Sequence, residues 1–412
     1  MIQYEKFKLE NGLTVIFHQD KTTPMAMVNI MYNVGARDEE ENRTGFAHLF
    51  EHLMFGGSKN IPSYDTPLQN AGGECNAFTS NDITNYYNHL PVQNIETALW
   101  LESDRMKELA FTPESLEVQR NVVIEEFKQR YLNQPYGDVW LKFRPVIYTK
   151  HPYKWATIGK DISHIEKATL DEVKAFFYKF YAPANAVLVI AGNLELEAVQ
   201  TLVHKWFDDI PNREKYIRNL PVEPKQTETK RLTLERPVPS SAIYMVFRVG
   251  NRISRDHYIG DLASDIIAGS HSSRLYKELI VKEKKFTSIS AYISGDMEES
   301  LFVISGHVAD GVSVEEGEEL IWNSLNALKI ESINDRELTK VKNKHKTGKV
   351  FSEQSILNRV INIAYFETLG CLDQIDLELD KYDRINVEDV KDFVDNKLKL
   401  ENASILHVIA KK

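Results

Sequence analysis

The chain repeats itself, and a repeat binds two stretches of sequence to one fold. Asp171-Glu172-Val173-Lys174-Ala175-Phe176 returns as Glu388-Asp389-Val390-Lys391-Asp392-Phe393, 217 residues later. At the same spacing Thr169 meets Asn386, both residues of the helix-capping type, and Asn185 meets Asn402. Towards the start of each half, Asn33-Val34-Gly35-Ala36-Arg37 returns as Arg248-Val249-Gly250-Asn251-Arg252, 215 residues on. Matches of nearly equal spacing at both ends of the halves imply a duplicated domain. A length of 412 residues accommodates two such cores. The polar stretch from Pro211 to Arg231, with Pro221 and Pro224 among many charges, is the natural joint. The expected division is therefore 1–215, a linker at 216–231, and 232–412.

Within the first half, Phe7-Lys8-Leu9 and Leu13–His18 flank Asn11-Gly12, a hairpin signal, and Met27–Val34 reads as a third strand. Gly72–Ser80 and Thr84–Leu90, rich in Thr, Tyr and Phe, read as a further β pair. Helical periodicity runs from Ile95 to Leu109 and from Thr112 to Arg130, and Asn185–Gly192 reads as a buried strand. The fold class is α+β: two tandem homologous domains, each an antiparallel sheet packed with helices.

Gly45–Gly57 is an apolar helix carrying His48, Glu51 and His52. The histidines stand one turn apart, so both imidazoles leave one face and can close on one metal ion. They could equally be ordinary core histidines. His-x-x-Glu-His is the inverted zincin order, in which two neutral imidazoles bind zinc and the carboxylate acts as general base. A third ligand is expected from the helix opened by Thr112-Pro113. On it Glu126 lies seven residues after Gln119 and shares its face, whereas Glu125 points about 100° away. Glu126 is therefore favoured over Glu125. Carried forward by 215 residues, His48, Glu51 and His52 fall on Ala263, Ile266 and Ile267. A feature present in one copy and absent from its twin is not required by the fold, which argues for chemistry.

His48, Glu51, His52 and the Arg-x-Val-Val-x-x-Glu run ending at Glu126 resemble the pitrilysin family, which includes insulin-degrading enzyme and the β subunit of mitochondrial processing peptidase. The resemblance implies a zinc endopeptidase for short or unfolded peptides, with one Zn2+ per chain held by His48, His52 and Glu126, and Glu51 moving the proton. It places Gln119 behind the ligands, where the family usually has Glu. It likens Asn76, Ala77 and Phe78 to an edge strand on which extended substrate lies, although an ordinary sheet strand reads the same way. Family members also carry an Arg and, seven residues on, a Tyr that reach the substrate. The matching positions here are Val281 and Ser288, which can do neither job. A homologous partner chain bearing that pair would complete the site, in a heterodimer. The alternatives are a homodimer, and a non-catalytic core or assembly subunit. Removal of one targeting segment and general peptide degradation read alike.

A formal charge of −10 argues against nucleic acid and anionic membrane as partners. The first ten residues show no leader-like pattern, and no apolar run is long enough to span a membrane. Cys75 and Cys371 belong to no metal-type cluster. A cytoplasmic setting is expected.

Overall fold

The computed structural model describes residues 2–330 and 333–411. In the first half, Gly12 turns with φ +91° and joins β1 (Glu5–Lys8) to β2 (Thr14–Gln19) as the expected hairpin. With β3 (Met25–Tyr32), β4 (Glu74–Thr79), β5 (Thr84–Pro91) and β6 (Ala186–Gly192) they form one sheet in the order β1-β2-β6-β3-β5-β4. The second half supplies β7 (Lys230–Arg236), β8 (Ala242–Val249), β9 (Phe286–Ile293), β10 (Ser300–Val308) and β11 (Ala403–Ala410), in the order β7-β11-β8-β10-β9. With β1 set aside the two orders are the same, strand for strand.

The repeat extends to individual hydrogen bonds. Thr169 and Glu172 cap the helix Leu170–Phe180 reciprocally, and Asn386 and Asp389 do the same for Val387–Lys397. Asn185 Nδ2 donates to Phe180 O at 2.9 Å and Asn33 O at 3.3 Å; its twin Asn402 Nδ2 donates to Lys397 O at 2.9 Å and Arg248 O at 3.1 Å. Each asparagine ties the end of a helix to the end of a strand.

The α+β class with two tandem domains holds, with one correction. Neither sheet is wholly antiparallel, because β2 pairs β6 and β7 pairs β11 in parallel. Short hairpins force antiparallel neighbours, but β6 and β11 return after long connections that can enter from either end.

The chain divides into two compact units, Met1–Arg130 with His151–Pro221 and Phe351–Asp376, and Tyr131–Lys150 with Val222–Val350 and Leu377–Lys412. They depart from the contiguous halves expected above in two segments. The helix Ile356–Thr368 turns Val360, Ile363 and Ala364 inward and packs on β3 and β6 of the first unit. The helix Val139–Ile147 buries Val139, Phe143 and Ile147 and packs on β7 and β11 of the second. Apolar residues at helical spacing need a sheet to cover, and each of these finds one across the sequence. The joint is extended, and Arg218 within it bonds both oxygens of Asp38, at 2.7 and 3.0 Å.

In the second unit the helix Arg255–Ile267 presents Asp261 and Asp265, one turn apart, to His345. Nδ1 of His345 lies 3.5 Å from Asp261 and Nε2 lies 3.1 Å from Asp265, while the ring stacks on Tyr382. Burial pulls the imidazole pKa down, but the two carboxylates outweigh it and hold it above 6.5. With a raised pKa, the stability gained from the charged ring is complete below about pH 6.5 and is lost as pH rises through the folded-state value. The stability gap between the wild type and His345→Gln, read from urea melts, is expected to shrink as pH climbs above 6.5. A gap that stays constant or widens would show that the pair is not charged in the fold.

Candidate metal centre

The helix Phe46–Leu53 starts at Gly45, whose φ of +89° and close approach to Ile158 O leave no room for a side chain. Gly45 offers no side-chain cap. The buried carboxylate of Glu39 takes that place, accepting the N–H of Gly45 at 2.9 Å and of Ala47 at 2.8 Å. Phe46, Leu49, Phe50 and Leu53 bury the opposite face, which leaves His48, Glu51 and His52 half-buried on the other.

Their partner arrives on the helix Pro113–Phe127, capped by Thr112 through Ser115 N. Oε2 of Glu126 lies 3.6 Å from His48 Nε2 and 3.4 Å from His52 Nε2. A tetrahedral ion held at about 2.0–2.1 Å spaces its ligands roughly 3.3 Å apart, so the donor set fits zinc in kind and in spacing. The three ligand atoms lie within 4.8 Å of one another, and among the described residues no other such group of three occurs. Burial pushes the His48 imidazole down to about 4, which keeps its lone pair free at neutral pH. The hydrogen bond with His52 holds the Glu126 carboxyl below its ordinary value. Glu125, by contrast, points outward and pairs with Lys128 at 2.7 Å.

Glu51 stands beside this trio. Burial raises its carboxyl, and the Thr79 hydroxyl, donating to Oε2 at 2.6 Å, opposes that rise. Thr79 ends β4, an outer strand of the first sheet. On β4 the side-chain oxygen of Asn76 accepts the Ala77 N–H at 2.8 Å, and Phe78 is exposed.

Two residues escaped sequence reasoning. Thr79 is one: it belongs to the stretch Asn76-Ala77-Phe78-Thr79 likened to the edge strand, but the sequence does not foretell its bond to Glu51. The other is Arg130, one turn beyond Glu126, whose Nη1 binds Glu126 Oε1 at 2.8 Å; its i+4 spacing was the available signal. Gln119, expected behind the ligands, is one of the helix residues nearest the end of the histidine helix. It makes no hydrogen bond to either histidine and lies beside Gly56, past the end of the histidine helix.

In the second unit Ala263, Ile266 and Ile267 are buried core, as their side chains require. Val281 is exposed on the short helical turn Tyr276–Lys282, and Ser288 lies on β9. Arg274 forks onto Glu337 at 2.9 and 2.8 Å and is taken up by that pair. The Cys75 thiol, half-buried next to Asp65, is pushed up to about 12, the opposite of an activated nucleophile.

Two units of one topology, one bearing a His-His-Glu cluster and the other apolar at the same helix positions, define a duplicated peptidase-type fold. The chain belongs to peptidase family M16, the insulinase family. The model of "Insulinase (Peptidase family M16)" matches residues 14–142 and that of "Peptidase M16 inactive domain" matches residues 167–344. Zinc protease PqqE of Helicobacter pylori is 29% identical over 346 residues, covering 82% of this chain and 78% of its own. The uncharacterized zinc protease YmxG of Bacillus subtilis is 24% identical over 94% of this chain and 93% of its own. Among solved structures, a protease from Helicobacter pylori superposes with a TM-score of 0.94 at 26% identity, over 99% of this chain and 100% of that one. Pitrilysin shares the fold with a TM-score of 0.80 at 20% identity, and this chain spans 45% of it. Among the described residues no helix is long and apolar enough to cross a membrane.

Proposed function

We propose that this chain is a zinc endopeptidase for short or unfolded peptides, in which His48, His52 and Glu126 hold one zinc ion and Glu51 is the general base. The observation that carries the reading is the convergence of Glu126 on both histidines at 3.4–3.6 Å while Glu51 stays apart, tied to Thr79 instead. The relatives named zinc proteases support it. Zinc, when bound, supplies a Lewis acid for the peptide carbonyl and acidifies a water. Glu51 takes the proton of the attacking water and returns it to the departing amine. The outer edge of β4 pairs with extended peptide through its main chain, Asn76 swinging off the Ala77 N–H to admit it, which selects unfolded segments over folded ones.

Val281 and Ser288 provide neither a cation nor a phenol, so a homologous partner chain completes the site. The test is zinc content and cleavage of an unstructured fluorogenic peptide by the chain alone and mixed with a homologous chain that bears the Arg and Tyr. One zinc per chain, weak activity alone and strong activity with the partner are expected. Full activity alone would retain the peptidase and remove the partner; no zinc and no cleavage in either preparation would assign the chain to a non-catalytic core subunit.

A further inference from the structure

We propose that Thr79 is the positioning residue for Glu51, and that through it the substrate-binding strand sets the aim of the base. The inference rests on the peptidase reading above. On the histidine helix, His48 and His52 converge on Glu126 at 3.6 and 3.4 Å, whereas Glu51 is bonded elsewhere. Its Oε2 is held by the Thr79 hydroxyl at 2.6 Å, and among the described residues its Oε1 accepts no protein hydrogen bond. One oxygen is therefore fixed and the other left to receive a proton.

The alternative conformations explain why a fixed oxygen matters. A glutamate side chain has three rotatable bonds, and ordering them costs conformational entropy. Set loose, Glu51 could turn to the histidines and fill the open coordination position, or turn to Arg130, whose guanidinium already reaches Glu126 Oε1 at 2.8 Å. Both moves would take the base out of use. The Thr79 hydroxyl prevents them with a charge-assisted hydrogen bond from a residue whose own backbone is locked into β4 opposite Thr84.

The placement of Thr79 adds a second consequence. Along β4, Asn76, Ala77 and Phe78 form the stretch where peptide is expected to add, and Thr79 is the next residue. A peptide pairing with that edge stiffens the strand that carries the hydroxyl. Docking and aiming of the base thus share one element, so that Glu51 is held best when substrate is in place.

The experiment compares Thr79→Val, which keeps the branched shape and loses the hydroxyl, with Thr79→Ser, which keeps the hydroxyl. Both are assayed on an unstructured peptide with whatever chain gives the wild type full activity, with zinc content measured. Each zinc-loaded variant is also crystallised. Thr79→Val is expected to lower kcat about 10- to 100-fold, the rate equivalent of a hydrogen bond to a charged group, with KM and zinc content unchanged. Its Glu51 carboxylate is expected to leave the wild-type position. Thr79→Ser is expected to restore both kcat, to within about threefold, and the carboxylate position.

Thr79→Val with wild-type kcat, a loss confined to KM, loss of zinc, or an unmoved Glu51 carboxylate would each overturn the proposal. Should the zinc-loaded wild type cleave no peptide, the peptidase reading falls on its own. The crystals still decide whether Thr79 holds Glu51.

Discussion

Glu51→Gln is expected to retain one zinc per chain and to lose peptide hydrolysis by about 10²- to 10⁴-fold, the usual contribution of a general base. The amide has the shape of the carboxylate, and its carbonyl oxygen can still accept the Thr79 hydroxyl, so the local packing survives. It cannot take a proton from water. The comparison with His48→Ala gives the result its meaning, because that change removes one of three converging ligand atoms and is expected to lose the metal itself. Glu51→Gln retaining activity within a few fold would remove Glu51 from the chemistry. Glu51→Gln that loses zinc would make Glu51 a ligand, contrary to its place beside Thr79 rather than Glu126.

A second large effect is expected far from the ligands. Arg105 and Glu102 are buried, the guanidinium giving Nε at 2.8 Å and Nη2 at 2.5 Å to the carboxylate. Asn88 and the Tyr64 hydroxyl add hydrogen bonds to the same Glu102 oxygen. The rings of Tyr64 and Tyr86 lie against the cation at 4.3 and 4.5 Å. Glu102→Ala strips the carboxylate and strands a buried cation and the Asn88 amide N–H, while the Tyr64 hydroxyl still has Asn88 Oδ1 at 2.9 Å, at a cost of about 3–5 kcal/mol. Urea unfolding of the whole chain would measure it. The double replacement Glu102→Leu with Arg105→Met is expected to cost less than Glu102→Ala alone, since no charge is left stranded. A Glu102→Ala cost below about 1 kcal/mol would mean that Arg105 finds water or a new partner. The loss would reach the site as well, because the Tyr86 hydroxyl donates to Phe50 O on the histidine helix at 3.3 Å.

How much of the fold and of the site the sequence reveals depends on how local each signal is. The duplicated fold is legible because capping pairs such as Thr169 with Glu172 and Asn386 with Asp389 are short-range and leave fixed residues at fixed spacing. His48 and His52 are legible for the same reason, one turn apart on one helix. Glu126 needs only the register of a second helix. Thr79 and Arg130 are harder, since their roles depend on which groups tertiary packing brings to them. The parallel pairs β2 with β6 and β7 with β11 are invisible in the sequence, as strand polarity after a long connection is settled by the whole sheet. The helix Val139–Ile147 is hidden by Pro145 in its interior, which reads locally as a break.

The exchange of segments between the two units has a consequence for any attempt to take the chain apart. A scission anywhere in the joint between β6 and β7 yields fragments that are each incomplete: the first lacks the helix Ile356–Thr368 that roofs β3 and β6, and the second lacks Val139–Ile147 against β7 and β11. Apolar sheet faces uncovered in this way would drive either fragment, made by itself, to aggregate. Fragments produced together would have to fold around each other, like two halves of a clasp. The gene therefore encodes a single folding problem, even though its product carries the same fold twice.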